Sequence, residues 1–152
     1  MILKSFKGLL KQNNVIRLNL SRNNGRTGYK IHKFQLFPHD IDGSTSMEDL
    51  VQVWKTEDAA DAATNDADFS DNRLLAAGYY VRALDPSAPY VATINDEVTI
   101  FDNEIFNQDI FVSYKSGQGG SKINFYLELE EMDLTLNQET VATLEDIRNI
   151  GV

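Results

Sequence analysis

The chain has 152 residues, of which 42% are hydrophobic and 24% charged, and it contains no cysteine. This length suits one domain, and the apolar fraction is high enough for a sizeable core, which excludes a disordered chain. The absence of cysteine excludes disulfides, thiolate metal sites and cysteine nucleophiles. The net charge of −9 argues against a protein that binds a nucleic-acid backbone with its whole surface.

Charge is divided unevenly along the chain. Residues 1–39 carry eight Lys and Arg and no acid, whereas residues 40–152 carry the other six Lys and Arg and all 23 acids. Such asymmetry can mark a basic arm that meets an acidic neighbour, or simply the solvated faces of strands and turns.

The basic start also contains apolar side chains, which would be unfavourable in water on a free tail. These side chains are Ile2, Leu3, Phe6, Leu9 and Leu10. We predict that residues 1–14 form an arm whose five apolar side chains contact a neighbouring molecule, and that residues 15–152 form the folded domain.

Strand patterns begin directly after this segment. Residues 15–21 alternate between apolar and polar, and an Asn-Gly turn separates them from a long strand at 27–37, which Pro38 ends. The apolar parity of the long strand changes between Ile31 and Phe34, which predicts a β-bulge.

Further strands follow at intervals separated by turns. They are predicted at 50–56, 73–84, 90–101, 109–116 and 122–134. The strand at 90–101 is expected to end buried, and the Gly-rich run at 117–120 to make a hairpin connection. Between the first two strands, Glu57–Asn72 has six acids and no base, which indicates an exposed excursion.

The end of the chain predicts a short helix. Asn137 suits the N-cap, Gly151 suits the C-terminal end, and apolar residues recur every three positions from Val141. The expected fold class is therefore all-β: a single antiparallel β-sandwich, with a jelly roll as one option, followed by a short C-terminal helix. No apolar run approaches the roughly 18 residues that a membrane span needs.

Three acids lie among bulky apolar residues in Ile100–Lys115. They are Asp102, Glu104 and Asp109. A glycosidase needs two carboxyl groups at a set distance, one with its pKa raised by apolar surroundings. The alternative is a loop whose acids hydrogen-bond to its own backbone while Phe101 and Phe106 fill the core. We favour the loop and predict no catalytic residues.

The acidic excursion suggests calcium. Asp66–Asp71 has the first spacings of an EF-hand loop, but Asp71 replaces the required Gly and Ala77 replaces the bidentate Glu. The segment is therefore no EF-hand, and a solvated acidic face is the favoured interpretation, with a looser oxygen-ligand site left open. We predict neither a metal nor a cofactor.

Four segments together resemble small structural proteins of marine tailed bacteriophages. They are TGYKIHKFQLFP, DFSDNRLLAAGYY, TIFDNEIFNQDIFVSYK and NFYLELEEMDL with its TLEDIRN ending. The resemblance covers residues 15–150, and its long apolar motifs indicate a fold rather than a chemistry. It implies a virion protein, assembled in the host cytoplasm, first of all a cement or decoration protein on the capsid surface.

Such a role implies protein partners. These are the major capsid protein or other virion proteins, together with further copies of the chain in a homo-oligomer, for which a trimer is the first expectation. Neither a membrane nor nucleic acid is an expected partner.

Two other functions stay open. A tail or vertex component that binds carbohydrate during host adsorption would expose Trp54, Tyr79 or Tyr80. An acid-dependent hydrolase would have a deep cleft around Glu104 and Asp109.

Overall fold

The computed structural model describes residues 1–22, 25–41, 45–118, 121–135 and 141–144, without the side chains of 89–91 and 118. In chain order its strands are β1 (Ile2–Lys11), β2 (Ile16–Leu18), β3 (Thr27–Pro38), β4 (Met47–Trp54), β5 (Leu74–Asp85), β6 (Ala88–Phe101), β7 (Ile110–Gln118) and β8 (Lys122–Asp133). Two short helices are α1 (Glu57–Asp61) and α2 (residues 141–144).

The strands form two antiparallel sheets. The three-stranded sheet has the order β1-β8-β3, and the five-stranded sheet has the order β2-β7-β4-β5-β6. This confirms the predicted all-β sandwich with a short helix near the C-terminus. The predicted helix ends at Asn137 and Gly151 lie outside the described residues.

The main core lies between the sheets and follows the period-two alternation of their strands. In β8 the buried side chains are Ile123, Phe125, Leu127 and Leu129, and in β7 they include Ile110, Val112 and Tyr114. Both strands were predicted, at 109–116 and at 122–134. Because each fully buried large side chain contributes about 1.5–3 kcal/mol, this alternation is the main source of the stability of the sandwich.

Two local irregularities fit the sequence. The register of β3 against β8 shifts between Ile31 and Lys33, which confirms the predicted bulge. In β5, Gly78 packs closely against β3, since a Cβ there would meet Leu36 Cδ1 at 2.9 Å and Phe34 Cε2 at 3.0 Å. A larger residue at this position would have to displace one of these two core side chains.

The start of the chain differs from the expected separate arm. Residues 2–11 form β1, which pairs with β8 along its whole length. Leu10 is fully buried and Phe6 packs, partly buried, against the main core. Phe6, Gly8 and Leu10 lie on the inward face of the strand. This period-two alternation is hard to recognise in the sequence, because Gly8 has no side chain and lysines lie among the apolar residues. The boundary at residue 14 is therefore corrected: β1 is an edge strand of the sandwich.

The five predicted contact residues consequently divide into two groups. Leu10 and Phe6 serve the protein's own core, whereas Ile2, Leu3 and Leu9 are exposed. Only the last three are available to a neighbouring molecule.

The basic start of the chain and its acidic remainder form some of their ion pairs within one sheet. Acidic β8 lies between basic β1 and β3, and Lys4 pairs with Glu131 while Lys30 pairs with Glu130, each at 3.4 Å. These pairs are partly exposed, so each contributes at most about 1 kcal/mol. The basic and acidic regions thus meet inside one molecule.

The acidic excursion begins with a packed helix. Thr56 caps α1, its hydroxyl accepting a hydrogen bond from Ala59 N at 3.2 Å. Ala59 and Ala60 are buried in a second small core with Trp54 and Phe111. The prediction of an exposed excursion is therefore wrong for its first turn, because these alanines are small enough to pack on the sheet.

Two further expectations are wrong. The strand at 90–101 is not buried towards its end as expected: it lies in β6, an edge strand, where Val98 and Ile100 are exposed, although the final residue, Phe101, packs partly buried against the main core. β7 and β8 do not form the predicted hairpin, because they belong to different sheets; residues 119 and 120 of the predicted connection lie outside the described residues. Local pattern does not distinguish an edge strand from a central one, or a hairpin from a crossing between sheets.

A pair of matched substitutions in β1 tests its place in the core. We expect Leu10→Ala to lower the free energy of unfolding by about 2–5 kcal/mol, because it leaves a cavity among fully buried side chains. Leu3→Ala, on the same strand but 45% exposed, should cost less than about 1 kcal/mol. Urea unfolding measures the free energy of unfolding of both variants. Equal, small effects of the two substitutions would support the original prediction that residues 1–14 form a separate arm.

Candidate functional site

The segment that carries the three acids, residues 102–109, links the two sheets; we call it the connecting segment. It leaves β6, touches β3 and returns to begin β7. At the point of contact Phe106 N donates to Tyr29 O at 2.9 Å, and Tyr29 N donates to Phe106 O at 2.8 Å. Both side chains are buried and their rings stack with centroids 6.3 Å apart.

Asp109 ends the connecting segment and joins it to the chain before β3. One oxygen, Oδ2, accepts from Arg17 Nε at 2.9 Å and Nη2 at 2.6 Å. The other, Oδ1, accepts from Leu20 N at 2.7 Å and Ser21 N at 2.8 Å. Burial raises the pKa of Asp109, but these hydrogen bonds together outweigh burial and hold it below its usual range. A general acid needs the opposite shift.

The other two acids have different surroundings. Glu104 pairs with Lys55, whose side chain is only 3% exposed. Asp102 has an exposed side chain, and its backbone N donates to Leu75 O at 3.1 Å. Asp109 and Glu104 thus each bind their own cation, and their contacts are with distant segments instead of the backbone of their own loop.

A cavity of about 430 Å³ opens beside Asp109 and Lys55. Its wall carries cations and acids alike, with Arg17 and Glu57 among them. Glu104 does not line it, so the two acids named for hydrolysis do not open on one cleft.

Asn107 has a position that sequence reasoning missed. It is fully buried, and its Nδ2 donates to Gly25 O and to Thr143 Oγ1, both at 3.1 Å. Because Thr143 lies in α2, this amide attaches the C-terminal helix to the sandwich. Nothing in the local pattern distinguishes Asn107 from the neighbouring polar residues.

A buried charged group at the other end of the core was also missed. Asp49 is fully buried, and Tyr114 donates its hydroxyl to Asp49 Oδ1 at 3.0 Å. Burial raises the pKa of Asp49 in spite of its hydrogen bonds and the nearby charge of Arg82. Arg82 in turn donates to Thr45 O at 2.8 Å and Asp40 O at 2.9 Å, which fixes the approach to β4. The predicted strand began at residue 50, so Asp49 lay outside it.

The acids of the Asp66–Asp71 segment make local contacts. Asp68 accepts from Ser70 N at 2.9 Å and Oγ at 2.6 Å, and Asp71 binds the Arg73 guanidinium at 2.8 and 3.0 Å. These bonds lower the pKa of both carboxyl groups. Across the part of the chain that the structure describes, no three His, Asp or Glu side chains converge as a metal site would require.

An apolar groove of about 440 Å³ runs along the outer face of the five-stranded sheet; we call it the outer groove. Its apolar lining is formed by Leu50, Ala67, Phe69, Ala77, Tyr79, Val98 and Ile100. Phe69 is 64% exposed, Ile100 50% and Val98 46%. The sequence did not indicate this groove, because its walls come from β4, β5, β6 and the loop after α1.

The aromatic side chains named for carbohydrate binding are mostly buried. Trp54 lies in the second core, where its Nε1 donates to Ser113 Oγ at 2.9 Å, and Tyr80 is also buried. Tyr79 alone of the three is exposed, and its hydroxyl donates to Glu48 Oε1 at 3.1 Å on the wall of the outer groove.

No protein-family model matches this chain, and no curated protein is similar enough to show a relationship. Within the described ranges, no helix is both long and apolar enough to cross a membrane. A functional assignment therefore depends on the surfaces and contacts described above.

The role of Asp109 is testable through stability. We expect Asp109→Asn to lower the free energy of unfolding by about 1–3 kcal/mol at pH 7, because Arg17 then faces an amide instead of a carboxylate. The pKa of Asp109 is lowered by folding, so its contribution is present above the ordinary value of 3.8 and is lost as the pH falls through the folded pKa. The difference between the two proteins should therefore shrink in acid.

Asp102→Asn is the matched control, since it makes the same change on an exposed carboxylate of the same segment. It should alter stability by less than about 0.5 kcal/mol. Urea unfolding at pH 7 and pH 3 measures both variants, and equal effects of the two would contradict a structural role for Asp109.

Asp49 should show the opposite pH dependence. Its pKa is raised in the folded state, so wild-type stability falls as the pH rises from 3.8 through the folded pKa. Asp49→Asn removes this titration, and the variant should gain stability relative to the wild type over that interval. Urea unfolding of both proteins from pH 3 to pH 7 measures this effect. If the difference in the free energy of unfolding between the wild type and Asp49→Asn did not change with pH, burial would not be the dominant influence on this carboxyl group.

Proposed function

We propose that this protein is a structural component of a phage virion, first of all a cement or decoration protein that binds the capsid shell through protein–protein contacts. The single observation that carries the proposal is the outer groove. Phe69, Val98 and Ile100 are exposed together there, whereas apolar side chains on a monomer's surface are more often scattered singly.

The groove has the composition of an interface centre. It combines aliphatic and aromatic side chains, with Glu48 and Lys115 at its rim. Apolar side chains at such a centre supply affinity, while charges at the rim steer the partner and set its register. We assign the groove to contact with the major capsid protein or another virion protein.

The contacts of the acids support a scaffold better than a catalyst. Asp109 and Glu104 each bind one cation, and Asn107 attaches a helix. All three thereby fix the connecting segment between the sheets. A rigid sandwich with an exposed apolar face fits the expected virion role, which the sequence resemblance suggested independently.

Purified virions provide the direct test. We expect the protein in many copies at a fixed ratio to the major capsid protein, measured by quantitative mass spectrometry and located by electron microscopy of the particles. Its presence only in the infected-cell lysate, outside the particles, would contradict the proposal.

Variants of the groove test the surface itself. The double variant Val98→Ser/Ile100→Ser should keep its fold, because both side chains are about half exposed, and should lower occupancy on particles at least about tenfold. Ile41→Ser is the matched control, since Ile41 is 73% exposed and does not line the groove. Equal occupancy of the two variants would exclude the outer groove as the contact.

A further inference from the structure

We propose that copies of the chain associate head to tail, with the β1 edge of one copy binding the β6 edge of the next. This inference rests on the proposed assembly role only in taking a second copy of the chain as the partner. It names the two surfaces that such an assembly would use.

Both strands offer one unused edge. Among the described residues, β1 pairs only with β8 and β6 pairs only with β5, so each has a row of backbone N–H and C=O groups that face away from its sheet. β1 is 10 residues long and β6 is 14 residues long. An exposed edge of that length is a ready site for another strand.

The two edges lie on opposite flanks of the sandwich. In the three-stranded sheet β1 lies over β7, whereas β3, at the other side, lies against β5 and β6. One molecule can therefore engage one neighbour through β1 and a second neighbour through β6.

Charge decides which edges can meet. β1 carries Lys4, Lys7 and Lys11, and β6 carries Asp96 and Glu97 near its middle. Two β1 edges would place lysines together, and two β6 edges would place acids together, so each edge opposes pairing with its own kind. The unlike pair brings opposite charges together.

Not all of these charges are equally available. Lys4 already pairs with Glu131, and Glu97 Oε1 accepts from Leu36 N at 2.8 Å. Lys7 and Asp96 are exposed, and Asp96 makes a local bond to Glu97 N at 2.8 Å. Lys7 and Asp96 are therefore the charges best placed to recognise a neighbour.

Apolar side chains accompany the charges on both edges. Leu3 and Leu9 are exposed on β1, and Ile94 is exposed on β6, outside the outer groove. Burial of these side chains would supply affinity, and the charges would select the partner edge. Because the two surfaces differ, the contact is heterologous: it closes into a ring, such as the expected trimer, or continues as a chain.

Two charge-reversal variants test the pairing. Lys7→Glu alone places Glu against Asp96, and Asp96→Lys alone places Lys against Lys7. Each should weaken self-association at least about tenfold in sedimentation velocity at low salt. An equimolar mixture should again form pairs and alternating chains, because each variant's altered edge faces a complementary edge of the other. A closed trimer should stay weakened, since one of its three contacts would join two copies of the same variant.

The matched controls make the same charge changes away from both edges. Arg22→Glu and Asp61→Lys alter exposed residues and should leave association unchanged, and thermal unfolding verifies that all four variants fold. Restoration by mixing, with unaffected controls, supports head-to-tail pairing. A wild-type chain that stays monomeric at high concentration, or a mixture that stays dissociated, overturns it.

The test of edge pairing and the test of the virion role can fail independently of each other. Association is measured on the purified chain alone, whereas the virion role is measured by occupancy on particles. A chain absent from particles would contradict the virion role and leave the mixing result to stand. A failed mixing experiment overturns the edge pairing even when the chain is found on particles.

Discussion

The backbone pairing between Phe106 and Tyr29 holds the connecting segment between the two sheets, and the positions of its polar side chains depend on it. On one side of this point Glu104 reaches Lys55, and on the other side Asn107 and Asp109 reach the C-terminal helix and Arg17. If the backbone did not meet β3 here, these contacts would have no fixed geometry. Glu104 and Asp109 therefore help to hold the connecting segment in place.

Electrostatics in this protein act at two ranges. Inside the three-stranded sheet, Lys4 and Lys30 offset the acids of β8, and these contributions to stability are small because water screens them. At the free edges, the exposed Lys7 and Asp96 are the charges on which the proposed head-to-tail pairing would depend.

The two buried or half-buried aspartates illustrate how environment sets the behaviour of a carboxyl group. Asp109 is surrounded by donors, which lower its pKa, whereas burial dominates at Asp49 and raises its pKa. Their effects on stability run in opposite directions with pH. Each carboxyl group is held by its own hydrogen-bond donors, and exposed apolar surface is the more informative feature for function.

Elements with a local and strict pattern were predictable from the amino-acid sequence. The alternation from Ile123 to Leu129, the parity change after Ile31 and the glycine-interrupted strand β5 were all predictable, because period two places successive side chains on opposite faces. The all-β class follows from counting such elements. The apolar character of β1 was also visible, although its alternation was obscured by Gly8 and the lysines.

Packing of the whole chain sets which elements are neighbours and which strand edges stay open. Asp109 lies 92 residues from Arg17, and Glu104 lies 49 residues from Lys55, so no local pattern indicates either partner. The same holds for β1 as part of the sandwich, for β6 as an edge strand and for the walls of the outer groove. Period and composition are properties of short segments, whereas partner choice is set by the packing of the whole chain, and the candidate functional surfaces of this protein arise from that packing.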